Sequence, residues 1–494
     1  MWIEPSHAIL PILLIPLFSM LYVYIRPYYL KSAVVIVSSL ATLFFTVELG
    51  IGISWSGTER YLIGGWGAPL GIDLFVDGVS SAMLILTAAI GSCITIYALG
   101  YFSDDNEEDA SEFFWPLWFF LWGGLNALFL SADIFNIYVT LELVTFSAVA
   151  LITLASSRSA LVAASRYLFV TLLGSMGYLL GVGLLYSSYG TLDIVSLSDI
   201  IRPDPMTISA VSLIITGLLI KSALFPLHFW LPAAHGSAPS PVSAALSGLV
   251  VTAPVYLMIR FWFLLFNFDL TYIANLFGIL GTMAILWGSF QALFQKRLKM
   301  LIAYSTVGQM GYIFLMFPLA SGDSLSQAFA WNGGIVFALS HGCSKAAAFM
   351  AAGSIIKELG HDRIKDFNGL ARISPMNVFV LGLAGISLMG LPPSGGFIAK
   401  WFLLKAAMHS GQWWYAVIIL LGGLITAAYI FKVLEICLSE AEEEIVPATY
   451  TQLHYAALLI ALVSVFLGLG TNLLITLLEV GQPQAIEHLK ALAL

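Results

Sequence analysis

Apolar runs of about twenty residues, separated by short polar breaks, recur along almost the whole chain. A run of that length crosses a hydrocarbon core of about 30 Å as a helix, which hides every backbone N–H and C=O from lipid. The runs are read near 7–25, 30–54, 74–101, 113–131, 133–155, 160–188, 206–226, 241–266, 270–294, 300–319, 326–357, 375–398, 412–438 and 451–480. With 60% of the 494 residues hydrophobic and 10% charged, no polar stretch is long enough for a soluble domain. The expected fold is all-α: a polytopic membrane protein of about 14 transmembrane helices in the lipid bilayer. The opening MWIEPSHAILPILLIPLF has no basic n-region, so it reads as a retained first span. Between spans two and three, RYLIGGWGAPLGIDLFVDG is Gly-rich and carries Tyr61 and Trp66, which suits an interfacial loop.

Composition also excludes several classes of function. The net charge of -8 is scattered through loops, which argues against a nucleic-acid partner. Cys93, Cys343 and Cys437 lie far apart in apolar segments, so they supply neither a disulfide framework nor a CxxC-type zinc, iron–sulfur or redox site. The chain holds no nucleotide motif, haem ligand set or quinone chemistry of its own. No cofactor, metal or catalytic centre is expected.

One stretch departs from a simple span. From Met206 an apolar helix runs to Lys221, and then come Pro226, His228, Pro232, His235, Pro239 and Pro241. Pro226 cannot donate to the Ser222 carbonyl and its ring crowds that turn, so the helix should break just past the lysine. An intramembrane lysine costs about 2.5–3.5 kcal/mol on insertion scales and needs a partner, water or a job. Broken helices at membrane depth persist only inside protein or beside water. Lys221 therefore reads as part of an ion path.

Three further places carry charge inside spans. Glu142 sits mid-span, and Tyr138, Glu142 and Thr145 share one helical stripe. It is either a structural ion pair, a neutral hydrogen-bonded acid, or a carboxylate that holds a charged lysine and releases it when the pair separates. His341 and Lys345, four residues apart, share a face of span eleven among Gly342, Ala346, Ala347 and Ala348. The histidine is either a satisfied core residue or a proton relay. Lys400 follows Pro392, Pro393, Gly395 and Gly396, which should interrupt span twelve. His341, Lys345 and Lys400 are expected to border one hydrated cavity.

Two interrupted spans, each with a lysine and five spans apart, fit an internal five-helix repeat with inverted topology. The expected organisation is N-terminal helices in 1–112, one repeat in 113–266, a second in 267–438, and a loop with the last helix in 439–494. The match is imperfect, since Lys221 precedes its break and Lys400 follows its own. The echo of GSMGY at 174–178 and GQMGY at 308–312 falls in non-equivalent spans.

Four segments in order resemble a known family: FNIYVTLELV around Glu142, KSALFPLHFWLPAAHGSAPSPVSAALSGLV from Lys221, HGCSKAAAFMAAG, and GLPPSGGFIAKW. They are similar to the antiporter-like membrane subunits of respiratory complex I, membrane-bound hydrogenases and Mrp-type multisubunit sodium/proton antiporters. The resemblance covers residues 75–435. DIFNIYV, Lys400 and the length are most similar to the D-subunit type. The resemblance implies two inverted five-helix repeats and a proton path in which Glu142 pairs with Lys221. His341, Lys345 and Lys400 would carry charge onward. Many members carry a further lysine in span eight, where this chain has Thr252. The step between halves would then rely on waters held by Ser243, Ser247 and Thr252, with help from His228 or His341.

Three functions follow from these residues. The first is a proton-conducting subunit of a sodium/proton antiporter, working with other membrane subunits of a hetero-oligomer. The second is a pump module of a complex-I-like or hydrogenase complex. The third, suggested by the missing span-eight lysine, is a scaffold with a dead path.

Loop charge sets orientation. Loops after odd spans hold Arg26 and Lys31, Arg158, Lys296, Arg297 and Lys299, and Lys357, Arg363, Lys365 and Arg372; loops after even spans hold mainly Asp193, Asp199, Asp204, Asp269 and Asp323. The positive-inside rule puts both termini outside the cell (inner) membrane. The acidic runs at 103–112 and 439–444 oppose this, but acids weigh little in that rule; they are either solvated surface or a docking face for a neighbouring subunit. Cysteines introduced near Glu4 and Lys490 should react with an impermeant reagent on intact cells. Protection of both sites would reverse the orientation.

Overall fold

The structure, a computed structural model, describes residues 5–26, 30–69, 71–103, 108–266, 268–440 and 451–482. Glu4, Lys490, residues 104–107 and residues 441–444 lie outside the described residues. The chain is a bundle of apolar helices, as its composition requires. In order these are α1 Pro5–Ile25, α2 Lys31–Ser56, α3 Gly78–Tyr101, α4 Glu108–Leu130, α5 Ile134–Thr153, α6 Arg158–Tyr189, α7 Ile194–Ile200, α8 Pro205–Lys221 and α9 Leu231–Ser237. Then follow α10 Ser240–Leu265, α11 Thr271–Leu293, α12 Leu298–Leu319, α13 Ser324–Leu359, α14 Pro375–Met389, α15 Gly395–His409, α16 Trp413–Leu438, α17 Thr451–Leu469 and α18 Thr471–Leu478.

Among the described residues, 11 helices are long and apolar enough to cross a membrane. The expected spans missing from that count are interrupted ones. α8 and α14 stop short at their breaks, and α17 meets α18 at a bend of 77°. Interruption is therefore more frequent than the two breaks expected from Pro226 and Pro392–Pro393, because a glycine, Gly470, turns the last span as well. α10 is irregular too, with π turns at Leu246–Val250 and Phe261–Leu265. Pro254 leaves the Val250 carbonyl without its normal helical donor, and the ladder slips to i→i+5 beside it.

The stretch read as an interfacial loop contains a β-hairpin, β1 Glu59–Leu62 paired antiparallel with β2 Asp73–Val76. Its side chains explain why it orders. Arg60 Nε is 2.8 Å from Asp73, and its other end reaches Asp193 in the loop before α7. On the opposite face Arg297 pairs with Asp362 at 2.8 Å and bridges to Arg363. Loops assigned to one side by charge thus meet on one side.

α13 is the axle of the bundle. It packs against α3, α10, α12, α14, α15 and α17, and its apolar stretch is wholly buried. α8 and α13 both start on an aspartate cap. Asp204 accepts from the Thr207 backbone N–H and Asp323 from the Ser326 hydroxyl and N–H, so both carboxyls are held below the usual carboxylate range. The two GxMGY echoes turn out to be packing devices. Gly174 and Gly181 let α6 close on α8 at Gly217 and Ala210, and Gly308 and Gly311 let α12 close on α11 at Gly288 and Gly281. By contrast Phe169, Leu173, Met176 and Leu180 of α6 face outward, as lipid-exposed side chains do.

A buried ion pair ties α10 to the start of α3. Arg260 Nη1 lies 3.2 Å from Asp77, the N-cap of α3, and donates to Tyr256 OH at 2.8 Å. Tyr256 in turn donates to the Phe129 carbonyl of α4. Arg260→Ala strands Asp77 as an unpaired buried charge, a loss of about 3–5 kcal/mol. Thermal unfolding of the purified protein should show that loss, and Arg260→Met with Asp77→Leu should recover most of it. A wild-type transition in Arg260→Ala would show that the pair contributes nothing.

Candidate functional site

The sequence places Lys221 in the last turn of α8, and the structure ends the helix there. Ala223 takes a left-handed conformation at φ 51°, and the chain does not resume helix until α9. The exposed end carbonyls are recovered locally: Trp230 Nε1 donates to the Ile220 carbonyl at 3.0 Å, and its ring stacks on Tyr167. The ammonium of Lys221 turns to α5. It lies 3.2 Å from Glu142 Oε1 and donates to Thr145 Oγ1 at 2.8 Å. Both partners belong to the Tyr138/Glu142/Thr145 stripe, while Tyr138 itself stays at the edge, half-buried. Ser175 of α6 donates a short hydrogen bond to the same carboxylate oxygen. Sequence spacing could not reveal Ser175, because it arrives from another helix.

His341 and Lys345 are fully buried on α13. Lys345 donates to the Ile302 carbonyl at 3.0 Å and, at short range, to Ser305 of α12. No carboxylate lies within ion-pair distance of it among the described residues. Both ring nitrogens of His341 are buried without a hydrogen-bond partner among the described residues. The small residues around them act as expected: Gly342 brings α13 within backbone contact of Gly248 in α10, beside the first π turn.

Lys400, on α15, folds back across its own break. Its ammonium donates to the Leu388 and Met389 carbonyls at 3.0 and 2.9 Å and sits 4.5 Å from the Tyr312 ring centre. Gly390, at φ 82°, caps α14, and a Cβ there would strike the Lys400 stem. A cavity of about 20 Å³ is lined by Ile302, Ser305 and Leu388, which Lys345 and Lys400 bond, and otherwise by apolar residues such as Leu301, Leu381 and Val433. None of His341, Lys345 and Lys400 lines it; the two lysines only bond residues of its wall.

The step between halves differs most from expectation. His228 stacks on Phe225, whose ring also meets Trp287 of α11; its Nδ1 has no partner among the described residues. His235, read only as punctuation, lies wholly buried against Phe349 of α13, and Lys299, Lys345 and His341 are its charged or titratable neighbours. Lys299, counted among loop charges, is buried in the first turn of α12 and donates to the Ala238 carbonyl. Asp362 ties down this turn: its carboxylate accepts from the Lys299 backbone N–H at 3.4 Å and its carbonyl from the Leu298 N–H at 2.8 Å. The three hydroxyls expected to hold water already donate to protein or pair with another hydroxyl. Ser243 donates to the His235 carbonyl at 2.8 Å, Ser247 pairs with Thr306 at 2.9 Å, and Thr252 donates to the Leu249 carbonyl at 2.8 Å.

Comparison with known proteins agrees over most of the chain. Residues 131–426 match the family described as NADH:quinone oxidoreductase/Mrp antiporter, TM, and residues 67–114 match NADH-ubiquinone oxidoreductase (complex I), chain 5 N-terminus. The chain is 34% identical over 382 residues to the NADH-quinone oxidoreductase N-subunit of Desulforudis audaxviator, covering 76% of this chain and 74% of that one. It is 28% identical over 432 residues to the Na(+)/H(+) antiporter D-subunit of Alkalihalophilus pseudofirmus, covering 86% and 85%. A chain of the membrane-bound sulfane sulfur reductase, an archaeal respiratory membrane complex, superposes with a TM-score of 0.88 at 26% identity, covering 97% and 98%. A chain of the Mrp complex from Dietzia sp. superposes with a TM-score of 0.87 at 24% identity, again covering 97% and 98%, which is a likeness of fold.

Proposed function

The chain belongs to the NADH:quinone oxidoreductase/Mrp antiporter family, and we propose that it is the proton-translocating subunit of a multisubunit cation (sodium)/proton antiporter. The observation that carries this reading is the Lys221–Glu142 pair, one titratable cation and one carboxylate, buried at the end of a broken helix.

The mechanism is electrostatic. While Lys221 lies beside ionised Glu142, its ammonium is stabilised by charge and by Thr145. Drawing it toward the break separates opposite charges where little water screens them, and the proton leaves for the next acceptor. Breaking such a pair costs about 3–5 kcal/mol, against about 2.3 kcal/mol to move one proton across 100 mV. One pair is enough for one proton. The onward row is His235 and Lys299, then His341 and Lys345, then Ser305 and Lys400, with His228 at the rim of the first break. Arginine is absent from that row, as it must be where protons are released. We further infer that residues 113–266 and 267–438 form the two inverted repeats, that both termini face outside the cell membrane, and that other membrane subunits supply the driving event.

A second reading has its own support. The 34% identity to an NADH-quinone oxidoreductase N-subunit and the likeness to the sulfane sulfur reductase favour a proton-pumping membrane subunit of a redox complex, complex-I-like or hydrogenase-like. Mass spectrometry of the purified complex separates the two: iron–sulfur or nickel–iron subunits select the redox reading, small membrane subunits the antiporter.

Two sets of variants test the path by proton flux in vesicles at normal complex yield. Glu142→Ala and Lys221→Ala should each abolish proton-coupled activity, and retained activity in both removes the pair from the mechanism. At Lys400 the expected order is Lys, then Glu, with Arg and Ala near zero. Glutamate still titrates, whereas arginine keeps the charge and both carbonyl bonds but does not release its proton. An active Lys400→Arg protein would make Lys400 an anchor.

A further inference from the structure

A buried carboxylate at the end of α13 lies outside this row. Glu358 sits in the last turn of α13, 13 residues beyond Lys345 and so about 20 Å along the same helix. Its side chain is 3% exposed. Oε1 meets His454 Nε2 of α17 at 3.0 Å and accepts from Asn377 Nδ2 of α14 at 3.4 Å. Oε2 is buried with no partner among the described residues, and so is Asn377 Oδ1. An ionised carboxylate with one bare oxygen beside an unpaired amide oxygen is a costly arrangement. A proton on the carboxyl group removes that charge. The third member opens the cluster to the surface, since His454 is 17% exposed.

We propose that Glu358, His454 and Asn377 form a proton-loading site that feeds the buried row from the face of the Arg297 and Arg363 loops. It rests on the proton-translocation reading above. His454 takes a proton from bulk water on one ring nitrogen and gives the Nε2 proton to Glu358 Oε1. The imidazole ends with as many protons as it began with, and the carboxylate becomes an acid. From Glu358 inward, Ser354 lies one turn away, and Ser344 and Ser340 lie ten and fourteen residues beyond it on the same stripe of α13; all three are buried, and Ser354 and Ser344 donate to the Met350 and Ser340 carbonyls. The other charged or titratable groups near the cluster, among the described residues, are few. Lys357 of α13 lies over Tyr101 of α3 at 4.7 Å, and Asp362 in the following loop is paired with Arg297. α14 contributes the neutral Asn377 and Ser374.

The test uses the intact complex in proteoliposomes, with proton flux measured against the pH on the side of the basic loops. Glu358→Gln keeps the size of the side chain and an acceptor for His454, so α17 stays docked. Its flux should fall about a hundredfold at alkaline pH, the lower end of what a positioned acid–base group contributes, and approach wild type at acid pH. His454→Gln should displace the profile in the same direction, and Glu358→Asp should restore it. Infrared difference spectra taken across the same pH range should show a carboxylic acid band that Glu358→Gln removes. An unchanged profile, a uniform loss at every pH, or an unaltered infrared band overturns the loading site. Absent flux in the wild-type complex would instead count against the proton-translocation reading.

Discussion

Charge buried in a helical bundle has to be matched by something, and the lysines of this protein are matched unequally. Lys221, Lys299, Lys345 and Lys400 are each at most 6% exposed. Among the described residues only Lys221 has a carboxylate within ion-pair distance. The other three rest on carbonyls, a hydroxyl and an aromatic face. Such partners suit an ammonium, yet they do not cancel its charge. Four full charges cannot occupy this row together at low cost, because each desolvated ion raises the energy of the next. A proton at one lysine is therefore felt by its neighbours, and that coupling follows from burial.

Punctuation within the sequence made the two broken spans legible. Pro226 after Lys221 and Pro392–Pro393 before Lys400 are local facts about a missing N–H and a crowded ring, and the helices stop there. The Glu142/Thr145 stripe was equally legible, since helical spacing puts both on one face. What sequence could not supply was tertiary. Ser175 reaches Glu142 from α6, Ser305 reaches Lys345 from α12, and the Arg260–Asp77 pair joins residues 183 positions apart. Lys299 misled for a related reason. A lysine beside Lys296 and Arg297 looks like loop charge until Asp362 is seen folding over the turn. The hairpin at 59–76 was hidden by its glycines, which lie in the turn rather than in the strands.

The mismatch between the two breaks disappears in space. Lys221 precedes its break and Lys400 follows its own, so the sequence positions do not correspond. Lys221 nevertheless stands in the last turn of α8, and Lys400 folds back to bond the last carbonyls of α14. Both lysines thus stand at the C-terminal end of a broken half-helix, where unsatisfied carbonyls carry partial negative charge. Only the Lys400 ammonium bonds them, while that of Lys221 turns to α5. Such an end favours a cation by about 0.3–1 kcal/mol in exposed settings and by up to about 2 kcal/mol when partly buried. Such a hold on an ammonium is weaker than that of a carboxylate. Only the Lys221 side adds a carboxylate, Glu142.

The middle of the row then decides whether the halves can communicate. Thr252 stands where relatives of this type were expected to place a lysine, and its hydroxyl proton is committed to the Leu249 carbonyl. α10 is also pressed to backbone contact with α13 at Gly248 and Gly342, which leaves little room for a long side chain there. The titratable groups beside this crossing come from its neighbours: His235 on α9 and Lys299 on α12. A histidine with both ring nitrogens unpartnered can take a proton on one and give it from the other. In the proposed path the missing lysine is therefore not a missing step. That proposed crossing runs off α10, through a side chain on α9, the short helix that follows the break at Lys221.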